Sequence, residues 1–294
     1  MKLLVIALLS LVAMVSPMPS VVMRAERMIY SLFRNALSAE RAAPCEEQEC
    51  KGTILKEAEE LGLTDFVKYM DEAKLTTDLS KPGHITVFAP TNEAINTLPG
   101  YVKKVLDKKT AVERIMKYHV VEEDLSKSQM ENEALIATLL GGEAKIRFNV
   151  YKDGKVITAS GAPIILPETK ATNGVLFKVD GLLEPPCGTI AKCLKECPVF
   201  KKLTEAMEKV NMEEMLNSQG PFTFFAPSDK AFEKIPKETL DRLMSNTTAL
   251  KELLMYHVVS GTYYTAGWTD NDELTTKSGK PITVKEGEGN SYVY

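Results

Sequence analysis

The sequence predicts an α+β protein built from two copies of one module. Three observations carry that expectation. Two blocks of residues recur at nearly one separation along the chain. Within a copy, apolar residues first follow helical spacing and later alternate as in strands. Asp-Gly and Asn-Gly pairs punctuate the alternating part, as turns between neighbouring strands require. Helices first and strands later describe an α+β module, not an alternating βαβ one. The length of 294 residues suits two domains of ordinary size. Charged residues make up 26% and hydrophobic residues 44%, a balance usual for globular proteins. The net charge of -4 argues against a nucleic-acid partner, which calls for a basic face.

The N-terminus reads differently from the rest. Met1-Lys2 leads into an apolar run over 3–15 that only Ser10 interrupts, followed by Ser16-Pro17-Met18-Pro19-Ser20. A basic start, an apolar centre and a small-residue exit predict a secretory signal peptide over 1–20. The run falls short of the ~20 apolar residues of a membrane span. Next comes an N-terminal segment, 21–50. Within it Met28, Ile29, Leu32, Phe33 and Leu37 form an apolar stripe at helical spacing. A pro-segment, an oligomerisation helix and a membrane-surface helix are all consistent with it.

Export sets the cysteine chemistry. An oxidising compartment favours disulfides among Cys45, Cys50, Cys187, Cys193 and Cys197, with pairing open. An odd count leaves one thiol free or bonded to another chain. His84, His119 and His257 lie far from every cysteine in sequence, so disulfides outweigh a zinc site. No metal and no cofactor is expected. Asn246-Thr247-Thr248 is an N-glycosylation acceptor and is expected at the surface.

The repeat defines the two modules, 51–186 and 187–294. HITVFAPTNEAI at 84–95 matches PFTFFAPSDKAF at 221–232, and Pro90 lies 137 residues before Pro227. VERIMKYHVV at 112–121 matches LKELLMYHVV at 250–259, and His119 lies 138 residues before His257. A period this long is a duplicated domain, since solenoid repeats run about 20–50 residues. In the first copy, amphipathic helices are expected over 53–61 and 65–73; in the second, over 200–210 and 212–216. Near-continuous apolar strands follow at 85–89 and 222–226, and Pro90 and Pro227 end them. Thr91 and Ser228 are placed as helix N-caps, where a hydroxyl accepts from first-turn amides. Helices then start near Tyr101 and Lys237, and another runs into each Tyr-His pair. The alternation at 145–151 predicts a half-buried strand, turned at Asp153-Gly154 into 155–159. A short strand is expected at 163–166. Asn173-Gly174 turns into a last one over 175–179.

These residues resemble the fasciclin domain family. TVFAPTNEAI and TFFAPSDKAF are similar to its first block, Tyr118-His119 and Tyr256-His257 to its central pair, and NGVLFKVD at 173–180 to its last block. Tandem modules behind a leader are similar to the matrix-protein branch of that family. The resemblance implies a β-sandwich wedge decorated by helices and a role in adhesion. The second copy departs from the pattern. The Asn-Gly turn follows His119 by 54 residues, and that interval from His257 passes Tyr294. The second copy is therefore expected to be incomplete, lacking its last strand and leaving an open sheet edge.

The resemblance implies an adhesive surface at Tyr118, His119, Tyr256 and His257, facing an integrin-like receptor or a matrix protein. The competing reading is that these side chains pack and hydrogen-bond in the core. No RGD tripeptide occurs. Lys103, Lys104, Lys108 and Lys109 form a basic cluster that could meet sulfated glycans, against a solvated helix face. Glu57, Glu59, Glu60 and Glu122, Glu123, Asp124 lack the spacing and glycine of a calcium loop. A hydrolase built on Ser228, His257 and Asp229 is disfavoured: Asp229 adjoins Ser228, and no G-x-S-x-G turn surrounds it. No catalytic residue is expected. The sequence thus predicts a secreted, extracellular adhesion or matrix-interaction glycoprotein, with a glycan- or lipid-binding module as the alternative. Oligomers are expected through an unpaired cysteine or the open sheet edge.

Overall fold

The computed structural model describes residues 52–218, 220–287 and 290–293. The leader, the 21–50 stripe, Cys45 and Cys50 lie outside the described residues. The first module opens with α1 (Ile54–Glu60), α2 (Thr64–Glu72) and the short α3 (Thr76–Leu79). Ile54, Ala58, Phe66 and Met70 on α1 and α2 have almost no exposure, so both helices bury one stripe. Strand β1 (Ile85–Pro90) follows, then α4 (Asn92–Asn96), α5 (Gly100–Leu106) and α6 (Lys109–Tyr118). The strands β2 (Val120–Val121), β3 (Leu135–Ala137), β4 (Lys145–Tyr151), β5 (Val156–Ala159), β6 (Ala162–Ala171) and β7 (Gly174–Val179) complete the module.

These strands form one seven-stranded sheet in the order β2-β1-β7-β6-β5-β4-β3. β1 and β7 run parallel, and the other pairs are antiparallel. The sheet folds over on itself. In a flat sheet β1 and β4, four places apart, would be separated by about 19 Å. Yet the rings of Phe88 on β1 and Phe148 on β4 lie 5.8 Å apart, and Phe177 on β7 stacks on Phe88 at 5.6 Å. The fold encloses a core of Phe88, Tyr118, Ile146, Phe148 and Phe177 between its own layers. A second core of Ile54, Phe66, Met70, Met116 and Leu176 lies between the helices and the sheet. This is the expected α+β wedge.

The last-block turn has a specific physical basis. Gly174 has φ +148°, and a Cβ there would collide with the Ile85 carbonyl of the paired strand. Only glycine lets β7 approach β1 so closely. The side chain of Asn173 is buried and joins three segments. Its Oδ1 accepts from Ile54 N at 2.9 Å, and its Nδ2 donates to the Leu79 and Lys81 carbonyls at 2.6 and 3.1 Å. It therefore supplies an acceptor for the start of α1.

The second module has α7 (Ile190–Glu196), α8 (Lys201–Lys209), α9 (Glu213–Asn217), α10 (Asp229–Glu233), α11 (Lys237–Ser245) and α12 (Thr247–Tyr256). β8 (Phe222–Phe224) pairs with β9 (Val258–Ser260), and β10 (Glu273–Thr275), β11 (Pro281–Gly287) and β12 (Asn290–Val293) form a meander. The repeat extends to single hydrogen bonds. Phe88 N donates to His119 O at 2.9 Å, and Phe225 N to His257 O at 2.9 Å. Asn92 Oδ1 accepts from Asp65 N in α2 at 3.1 Å, and Asp229 Oδ1 from Lys202 N in α8 at 2.8 Å.

Some elements differ from expectation. The short helix α3 and strand β3 carry too few residues for periodicity to reveal them, and α7 is a further helix beyond those expected. β6 extends well beyond 166, because a register shift between Ile165 and Thr169 lets it resume pairing with β7. Thr91 caps α4 through its hydroxyl, which accepts from Ala94 N at 3.1 Å. Ser228 sits at the N-cap of α10, but there its backbone carbonyl, not its hydroxyl, accepts from Ala231 N at 2.8 Å.

Candidate interaction surfaces

The two Tyr-His pairs end the equivalent helices α6 and α12, yet they occupy different environments. Tyr118 is 1% exposed, and its hydroxyl donates to the Lys145 carbonyl and shares a hydrogen bond with Ser160 Oγ, both at 2.8 Å. Burial raises its pKa above the ordinary phenol value. His119 has no exposure. Its Nδ1 lies 2.8 Å from the Ile115 carbonyl, and its Nε2 accepts from Leu183 N at 3.1 Å. A carbonyl facing Nδ1 and an amide N–H facing Nε2 specify the neutral, Nδ1-protonated ring. Desolvation accordingly lowers its pKa to about 4, against a small opposing effect of the Ile115 hydrogen bond. Neither Tyr118 nor His119 presents its side chain to a partner. This corrects the expectation of an adhesive surface made by those two side chains: the closed sheet covers them.

In the second module Tyr256 and His257 are half-buried. Tyr256 donates to the Pro281 carbonyl at 3.2 Å, and the two rings meet edge-on at 6.2 Å. His257 Nδ1 repeats the helix contact, 2.8 Å from the Leu253 carbonyl. Among the described residues its Nε2 has no counterpart of the Leu183 amide, and β8 pairs only with β9. With His257 turned to Leu253 and Asp229 engaged by Lys202, the structure does not assemble the Ser228–His257–Asp229 relay.

A polar junction fastens the modules together. Glu133 pairs with Arg147 at 2.6 Å and reaches across to the second module, accepting from Thr262 N at 2.8 Å and Thr262 Oγ1 at 3.1 Å. The Tyr151 hydroxyl donates to the Thr262 carbonyl and accepts from Tyr264 N, both at 3.0 Å. Tyr264 lies against Gly161, and Tyr151 against Gly267; a Cβ on either glycine would collide with the ring. Partial burial raises the pKa of both tyrosines. No motif marked this junction. The signal in the sequence was limited to the tyrosines near Thr262, whose role depends on what they face.

The remaining predicted residues are placed as follows. Lys103, Lys104, Lys108 and Lys109 are all exposed around the α5–α6 turn, and Lys103 Nζ donates to the Asn96 carbonyl at 2.7 Å. Tyr101 on α5 is 72% exposed and Val105 is 41% exposed. Cys187 pairs with Cys193, and Cys197 has no disulfide partner among the described residues. Asn246 is exposed and caps α12, accepting from Ala249 N at 3.1 Å. Among the described residues no helix is long and apolar enough to cross a membrane. Glu57 is buried while Glu59 and Glu60 are exposed, and Asp124 pairs with His84 at 2.6 Å.

Comparison with known proteins agrees with this architecture. The fasciclin domain model matches residues 61–185 and again 198–294. The chain belongs to the fasciclin domain family. It is 28% identical over 227 residues to transforming growth factor-beta-induced protein ig-h3 of Sus scrofa, covering 76% of this chain and 33% of that protein. It is 29% identical over 202 residues to human periostin, covering 68% of this chain and 24% of periostin. The chain thus spans a third or less of the length of these relatives. A FAS1 domain pair from the insect cell adhesion molecule fasciclin I aligns with a TM-score of 0.38 at 21% identity, covering 79% of this chain and 86% of that one.

Proposed function

We propose that this is an exported adhesion or matrix-interaction protein that acts through protein–protein surfaces of its two fasciclin modules. The observation that carries the reading is the pair of fasciclin matches in one chain, together with a junction that holds the modules as a unit. One member of the family, fasciclin I, is a cell adhesion molecule of insects. The leader over 1–20 sends the chain to the extracellular space, and Asn246 accepts a glycan there. An integrin-like receptor or a matrix protein is the partner. With Tyr118 and His119 in the core, contact falls to exposed neighbours. Tyr101, 72% exposed, is the leading anchor, since tyrosine is enriched among interface hot spots. In the second module Tyr256 and His257 remain within reach. The Cys197 thiol and the β8 edge are where copies of the chain would join.

The test is attachment of several cell types to the immobilised, folded chain. We expect attachment that Tyr101→Ala reduces severalfold while circular dichroism is unchanged. No attachment by the folded wild type on any cell type would end the adhesion reading.

A further inference from the structure

Two hollows adjoin on the first module. The smaller, about 280 Å³, lies between α5 and the start of the inter-module segment and is bordered by exposed Tyr101. The larger, about 990 Å³, continues into the cleft between the modules, where Tyr264 closes it. Both are bordered by Arg114, Glu184 and Cys187, so they form one continuous groove. The larger hollow alone lies at the upper end of the roughly 300–1,000 Å³ typical of ligand pockets.

The groove displays cations at intervals. Arg114 comes from α6, Lys145 from β4 and Lys192 from α7. Arg114 and Lys145 are exposed, and neither has an ion-pair partner among the described residues. Arg147 also lines the groove but is held by Glu133. Ser160 also borders the groove, its hydroxyl already shared with the buried Tyr118. The α5–α6 segment beside the groove is basic. Between Gly100 and Tyr118 stand six basic residues and two acidic ones, in a chain whose net charge is -4.

We propose that this groove binds an extended acidic glycan, a sulfated oligosaccharide lying from Tyr101 past Arg114 to Lys145. Sulfates spaced along a sugar chain meet the guanidinium and ammonium groups, Arg114 in bidentate fashion. The exposed Tyr101 ring offers a face to a pyranose. Glu143 and Glu184 also border the groove and oppose any anion. They set a register in which sulfates avoid those two points. The exposed lysines at Lys104 and Lys108 lie outside the groove and contribute only to the general field. This site goes beyond the adhesion reading and does not depend on it, because it needs no cell or receptor.

The experiment is isothermal titration of the full chain with a heparin-derived sulfated hexasaccharide at physiological salt. Arg114→Glu and Lys145→Glu are each expected to weaken binding about tenfold or more, a loss of one charge-assisted contact plus the reversed charge. Glu184→Gln is expected to tighten it severalfold. Lys104→Ala with Lys108→Ala is expected to change it less than threefold. Absence of wild-type binding overturns the proposal. So does retained affinity in both groove reversals, which would place binding elsewhere. Equal affinity for a poly-glutamate peptide of matched charge would also overturn it, by showing that the groove reads charge and not sugar. Cell attachment measured on the same variants reports separately on adhesion.

Discussion

Acidification should destabilise the first module through His119 in a calculable way. The ring is fully buried and neutral, with its Nε2 lone pair used by the Leu183 amide. Protonation would set an N–H against an N–H in a buried site. Folding therefore lowers the pKa from 6.5 to about 4. Above pH 6.5 the ring is neutral in both folded and unfolded chains, and its contribution is fully present. As the pH falls below that value the unfolded chain takes up a proton that the folded chain refuses, so the unfolded state gains. The loss grows by about 1.4 kcal/mol per pH unit and levels off near pH 4 at about 3 kcal/mol. That is a large share of the ~5–15 kcal/mol stability of a domain. Carboxylates titrate in the same window, so the ring itself must be observed. Histidine Cε1–Hε1 cross-peaks, assigned by single replacement of each histidine, give the three titrations directly. We expect His119 to hold its neutral shift down to at least pH 5. Titration of His119 near its ordinary value, with the module still folded, would refute the reasoning.

Two further predictions concern groups that hold the modules in shape. Asn173→Ala removes the acceptor for Ile54 N and the donor to the Leu79 carbonyl, both buried. Orphaned groups of this kind cost about 1–3 kcal/mol each, so urea denaturation followed by circular dichroism should show a loss of about 3 kcal/mol in the first module, and a loss under 1 kcal/mol would count against the role assigned to this side chain. Glu133→Ala deprives Thr262 of its acceptor and Arg147 of its counter-ion. Trp268, the single tryptophan, is buried in the second module against Phe225 and reports its unfolding. In the variant its fluorescence transition should separate from the dichroism transition of the whole chain, whereas coincident transitions identical to wild type would show that the junction does not couple the modules.

The modules and most of their elements could be read from residue order, because the signals there are local. The first block, TVFAP, is apolar and β-forming enough to specify a buried strand before Thr91 starts a helix. Asp153-Gly154 specifies a turn because the backbone there takes positive φ, as both residues do in the structure. The α6 and α12 patterns end at Tyr-His in both copies. Short elements escaped because three or four residues do not establish a period, as with α3 and β3.

The site was less legible, because exposure is a property of the folded sheet. Tyr118-His119 and Tyr256-His257 are the same dipeptide at the ends of equivalent helices. One is sealed by β4, β5 and the segment after β7, while the other is half open. The sequence by itself determined that the chain is a duplicated α+β fasciclin protein, since helix periodicity, turn chemistry and the repeated blocks are written in neighbouring residues. Only the tertiary structure decided which of the repeated residues face solvent, how Glu133 and Tyr151 grip Thr262, and that Arg114 and Lys145 share a groove. Those facts depend on segments far apart in the chain, brought together when the sheet closes and buried apolar area outweighs the entropy of ordering them.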